Sequence, residues 1–85
     1  MNIYEKIVKE ILKYLDKMDN SEEFKKNCPD IKAAEYLIAK TNPDIKPQRL
    51  MNILSGNAKR ITLQEICIIC HWLNIEVVDL FKNIK

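Results

Sequence analysis

Glycine occurs once in these 85 residues, at Gly56. A glycine-rich loop that cradles phosphates with successive backbone N–H groups is therefore excluded, and with it the common nucleotide-binding motifs. Proline occurs three times and long β-branched alternations are missing, whereas Leu, Ile, Lys and Glu are abundant, a balance that favours helices over strands. The longest uninterrupted apolar run, Ile66 to Cys70, falls far short of the ~20 residues a membrane span needs. Glu5, Lys6, Lys9 and Glu10 interrupt the apolar residues at the N-terminus, which the core of a signal peptide does not tolerate. A cytoplasmic protein with no membrane partner is expected. The single histidine has no nucleophile or carboxylate at a catalytic spacing, so the chain is read as a non-enzyme.

Eighty-five residues are expected to form one domain, 1–85, in which nearly every apolar side chain is needed for one small core. Net charge is only +2, a weak argument for a nucleic-acid partner, but its distribution is uneven. Residues 1–30 carry six lysines against seven acids, a balance of −1. Residues 31–60 carry Lys32, Lys40, Lys46, Arg49, Lys59 and Arg60 against Glu35 and Asp44, a balance of +4. Binding to phosphates would call for such a local surplus.

Along the chain, Ile3, Ile7, Ile11, Tyr14, Leu15 and Met18 recur at helical spacing, flanked by Tyr4, Val8 and Leu12, and predict a long first helix with a wide apolar stripe. Asp19-Asn20-Ser21 breaks it. Asn20 and Glu23 have the spacing of a capping box that opens a short helix around Phe24, and Cys28-Pro29-Asp30 ends it. A further helix is expected from Ile31 to Thr41 with Ala34, Leu37 and Ile38 inward, closed by Asn42-Pro43-Asp44. Pro47 to Leu54 forms the next, apolar through Leu50, Ile53 and Leu54, and Ser55-Gly56-Asn57 stops it. After the polar loop from Asn57 to Ile61, Thr62 and Glu65 make a reciprocal cap for a helix burying Ile66, Ile69, Cys70 and Leu73. Asn74-Ile75-Glu76 turns into a last helix at Val77 to Phe81.

Cys67-Ile68-Ile69-Cys70-His71 matches the C-x-x-C-H pattern of covalent haem attachment. Haem attachment needs an accessible segment, whereas this one lies mid-helix beside core isoleucines. Zinc held by Cys28, Cys67, Cys70 and His71 is disfavoured because two of those ligands share one helix and Cys28 has no paired spacing. The reading is therefore of no cofactor, no metal and no disulfide, with small, unreactive buried cysteines and a partly exposed His71 near its helix end.

From Ile31 to Phe81 the chain resembles helices two to five of the Cro/XRE-type, lambda-repressor-like helix-turn-helix family. The resemblance is carried by Gly56-Asn57-Ala58-Lys59-Arg60-Ile61-Thr62-Leu63-Gln64-Glu65 and by Trp72-Leu73-Asn74-Ile75-Glu76-Val77-Val78-Asp79-Leu80-Phe81. In that family a glycine, a basic loop, a Thr- or Ser-capped helix, a Leu-Asn turn and an Asp-Leu-Phe ending follow in this order. It implies an all-α fold, a five- to six-helix lambda-repressor-like helix-turn-helix domain with an extended N-terminal helix. It also implies a sequence-specific transcriptional regulator, repressor-like and bacterial or phage-borne, that binds double-stranded DNA as a homodimer. The third family-like helix would enter the major groove with Lys46, Pro47, Gln48, Arg49 and Asn52. Gln48 and Asn52 suit adenine, Arg49 guanine or phosphate, and Pro47 a thymine methyl. Lys59 and Arg60 would hold phosphates.

The chain departs from the family in two places. Residues 19–30 are longer than the usual link, and Asn42-Pro43-Asp44 replaces a tighter turn. Ile68 and Trp72, four residues apart on the outer side of their helix, suggest an interface unless the N-terminal helix covers them. The alternative function is accordingly a protein-interaction module on the same fold: an antitoxin, an anti-repressor or a phage inhibitor of host defence.

Overall fold

A computed structural model of the chain describes residues 2–82 and 84. It is all-helical, with α1 Ile3–Asp19, α2 Glu22–Asn27, α3 Ala33–Thr41, α4 Pro47–Leu54, α5 Leu63–Leu73 and α6 Val77–Lys82, and no strand among the described residues. The Asn2 side chain begins α1 by accepting from the Glu5 N–H at 2.9 Å. Its apolar stripe is narrower in the fold than in the sequence. Ile7, Ile11 and Leu15 are buried, whereas Ile3 and Leu12 are exposed, because only the centre of the stripe meets α3, α4 and α6. Glu10 is buried beside that stripe and receives the Lys13 ammonium at 3.1 Å.

At the next junction the cap falls one residue later than expected. Asn20 closes α1, its amide donating to the Asp16 carbonyl at 2.9 Å, and Ser21 opens α2 by accepting from the Phe24 N–H. The expected cap by Asn20 is thus corrected by one position, because the Asn20 side chain is committed to the Asp16 carbonyl of α1 and leaves the Phe24 N–H to Ser21. Ahead of α3, Lys32 supplies no side-chain cap. Asp19 supplies it from a distance: its carboxylate accepts from the Ala33 N–H at 2.7 Å, across 14 residues. α3 therefore starts two residues later than Ile31, which is left exposed.

α3 lies at the centre of the molecule, packed on α1, α4 and α5. Ala33, Leu37 and Thr41 are its buried residues, with Ala34 and Ile38 only partly covered, so the inward face is rotated from the one expected. Thr41 is tolerated there because its hydroxyl donates to the Leu37 carbonyl at 2.9 Å. The turn after it, residues 42–46, is closed by the Ile45 N–H on the Thr41 carbonyl, and Ile45 itself is buried. This anchoring sets the start of α4.

Pro47 occupies the first turn of α4, where its missing N–H costs nothing, and Leu50 and Ile53 bury the inner face. Gly56 then takes φ +81°, and no atom stands within 4 Å of where a Cβ would lie, so the glycine is required by backbone conformation rather than by space. Thr62 and Glu65 make both halves of the expected capping box, and α5 buries Ile66, Ile69, Cys70 and Leu73 as its spacing indicates. Asn74 at φ 59° turns the chain into α6, whose Leu80 is fully buried. Among the described residues no helix is long and apolar enough to cross a membrane.

Candidate nucleic-acid interface

The first turn of α4 presents polar side chains on a surface that its buried residues hold in place. Lys46, Pro47 and Gln48 are exposed, Arg49 and Asn52 are half-buried, and Ile45, Leu50 and Ile53 lie beneath them in the core. One helical turn separates Gln48 from Asn52, and the Gln48 side-chain nitrogen Nε2 donates to the Asn52 side-chain oxygen Oδ1 at 3.2 Å. Among the described residues the contact leaves the Gln48 oxygen and the Asn52 side-chain amide hydrogens with no partner. Between them, the two side chains can still donate and accept, the combination the adenine edge presents.

The loop after Gly56 is tethered to the same helix. The N–H groups of Asn57 and Ala58 both donate to the Asn52 carbonyl, at 2.9 and 3.1 Å, and Ile61 anchors the far end in the core. Lys59 and Arg60 remain exposed between these anchors. Lys46, Gln48 and Asn52 of α4 and Lys59 and Arg60 of the loop tethered to it thus stand exposed or half-buried, with the apolar Pro47 and Met51 exposed among them.

Arg49 is differently engaged. Its Nε donates to Glu65 Oε2 at 2.7 Å, and Nη2 donates to Glu65 Oε1 at 3.0 Å and to the Arg60 carbonyl at 2.8 Å. These contacts use the N–H groups of Nε and Nη2, so the parallel fork that grips guanine is already spent on Glu65. The Arg49 hydrogen bond holds the Glu65 carboxyl well below its ordinary 4.5, at about 2, against the opposing effect of burial and with help from the Thr62 backbone N–H. Arg49 is raised by the same pair.

A carboxyl lowered in the fold stabilises it above the ordinary value and ceases to do so as pH falls towards the folded value. The Glu65 contribution is thus present above about pH 4.5 and lost between there and about pH 2. Glu65→Gln keeps an oxygen for the Thr62 cap but loses the charge. Chemical unfolding across that window should show the wild type losing roughly 1–2 kcal/mol more than the variant, after allowance for solvent screening at the half-exposed Arg49. Equal losses in the two proteins would remove the ion pair as a source of acid sensitivity.

Trp72 and Ile68, proposed from the sequence as an interface, are both half-buried against the core. The Lys40 ammonium lies 5.8 Å from the Trp72 ring centre, and the His71 ring meets it edge-on at 5.1 Å. Trp72 borders a cleft of about 310 Å³ whose walls include Phe24 and Tyr36, themselves in an edge-to-face pair at 5.6 Å. A larger groove of about 660 Å³ runs between Tyr4, Val8 and Leu12 of α1 and the segment from Leu54 to Lys59. The extra width of the apolar α1 stripe is the one sign of this groove in the sequence.

Within C-x-x-C-H, Cys67 is exposed and Cys70 is buried, so the two thiols face opposite surroundings; the expectation of buried cysteines holds at Cys70, fails at Cys67 and is only half met at Cys28. Burial, with a smaller effect from Cys67, pushes the Cys70 thiol up to about 11, which suppresses its thiolate. Cys28 is half-buried at the end of α2. Among the described residues no three His, Cys, Asp or Glu side chains stand together as a metal-binding group.

Comparison with known proteins adds no relative: no family model, no curated protein and no solved structure matches the chain.

Proposed function

We propose that this protein is a Cro/XRE-type transcriptional regulator that reads duplex DNA with α4 and acts without catalysis in the cytoplasm. The observation that carries the proposal is the pairing of two exposed-side amides, Gln48 and Asn52, with a basic loop tethered to the same helix. The helix N-terminus adds a favourable field for phosphate at Lys46 and Pro47. Base reading belongs to Gln48 and Asn52, phosphate contact to Lys46, Lys59 and Arg60. A homodimer on a two-fold symmetric site fits an 85-residue reader, because one short helix contacts only a few base pairs.

Fluorescence anisotropy with a labelled random duplex tests the first step. Binding at micromolar protein should fall steeply with salt, and changing Lys59 and Arg60 together to Ala should weaken all sequences alike while reducing the salt slope by about 0.9 per lost phosphate contact. Absence of salt-sensitive binding by the wild type removes the regulator reading.

The cleft beside Trp72 favours a second reading, a protein-interaction module such as an antitoxin or anti-repressor, in which Ile68 and Trp72 meet a protein partner. It predicts that Trp72→Ala abolishes partner capture with DNA affinity unchanged.

A further inference from the structure

Arg49 sits where three segments of the proposed interface converge. Through Glu65 it reaches the start of α5, and through the Arg60 carbonyl it reaches the loop that carries Lys59 and Arg60. Glu65 Oε1 also accepts from the Thr62 N–H at 2.9 Å, so the end of the loop, the cap of α5 and the first turn of α4 share one hydrogen-bonded node. At the other end of the loop, the Asn57 and Ala58 N–H groups are bound to the Asn52 carbonyl of α4. The basic loop is therefore held to α4 at both ends, by a main-chain acceptor at its beginning and by a guanidinium at its end.

We propose that Arg49 is a positioning residue which fixes the Lys59-Arg60 loop against the reading helix, setting phosphate contact and base contact in one register, and does not itself read a base. The assignment rests on the DNA-reading function proposed above. A guanidinium suits this task because its planar fork meets both carboxylate oxygens of Glu65 and still has a hydrogen for the Arg60 carbonyl, which an ammonium cannot match in geometry. The pair is joined across 16 residues of sequence and links side chains of α4 and α5, so it constrains the loop between them.

Charge and position make opposite forecasts for the partner residue. If Arg49 mattered only as a positive charge, Arg49→Met would weaken DNA binding, Glu65→Gln would tighten it by removing a negative charge, and Arg49→Lys would bind like the wild type. The positioning role instead expects Arg49→Met, Arg49→Lys and Glu65→Gln each to weaken binding to all duplexes by about five- to tenfold, with base preference in a random-site selection unchanged. The double variant Arg49→Met with Glu65→Gln should be no weaker than Arg49→Met alone, since both changes break one contact.

Amide hydrogen exchange on the free protein supplies an arm that does not need DNA. Exchange at Asn57, Ala58 and Thr62 should accelerate in Arg49→Met, while α1 and α3 keep their protection. Unchanged exchange in the loop overturns the clamp. Wild-type or tighter binding by Glu65→Gln, or an altered preference at one base pair in Arg49→Met, overturns the positioning role. If the wild type binds no duplex at all, it is the DNA-reading function that falls, and with it the part assigned to Arg49 in DNA contact; exchange then decides the clamp alone.

Discussion

Leu37→Ala is expected to lower the free energy of unfolding by about 3–5 kcal/mol, the upper part of the range for a leucine truncated in a core. Leu37 is fully buried at the middle of α3, the helix that touches α1, α4 and α5, so three neighbours would have to move to fill the space left. Leu37 belongs to the same core cluster as the fully buried Ile11, Leu50 and Ile69, and a core packed this closely has little freedom for such collapse. A domain of this size has a total stability on the order of 4–13 kcal/mol, so the loss would take a large fraction of it. Urea unfolding followed by circular dichroism gives the number, and a change under about 1 kcal/mol would contradict a central place for α3. Function should suffer with it, since α3 supports the start of α4 through Thr41 and Ile45.

Gln48→Ala with Asn52→Ala is expected to abolish sequence choice while leaving non-specific binding nearly intact. Each amide reading an adenine edge contributes about 1–3 kcal/mol of discrimination, so the pair accounts for roughly one to four powers of ten in the ratio of specific to random affinity. The two side chains touch at 3.2 Å, and the single changes should therefore not add: removing Gln48 also removes the donor that orients the Asn52 side-chain Oδ1. Competition between a selected site and random duplex measures the ratio for the wild type, both single variants and the double. A double variant with an undiminished ratio would transfer base reading elsewhere on the surface.

Local signals in the sequence account for much of this fold. Thr62 and Glu65 are three residues apart, and a capping box is complete within that distance, so it could be read without knowing any tertiary contact. The same holds for Pro47 at the start of α4 and for Gly56 after its end. Asn20 and Ser21 show where local signals compete: both are good caps, and only the geometry of the junction assigns Asn20 to the helix before and Ser21 to the helix after. Contacts joining distant segments left no local trace. Glu65 was legible as a cap but not as the partner of Arg49, and Asp19 gave no sign of its bond to Ala33, because separations of 16 and 14 residues carry no periodicity. The apolar width of α1 was visible, yet which residues the core would cover depended on how α3, α4 and α6 meet it.

The Asp19 to Ala33 bond has a practical corollary for manipulating the chain. It pinches together the two ends of the excursion formed by residues 20–32, so the path into α3 is set at the neck and not by the length of the protruding part. Adding residues at the exposed stretch around Asn27 and Pro29 would then enlarge an already closed lobe, a change whose entropic cost grows only logarithmically. That lobe is the natural place to graft a fluorophore-binding peptide or an epitope while the rest of the molecule keeps its shape.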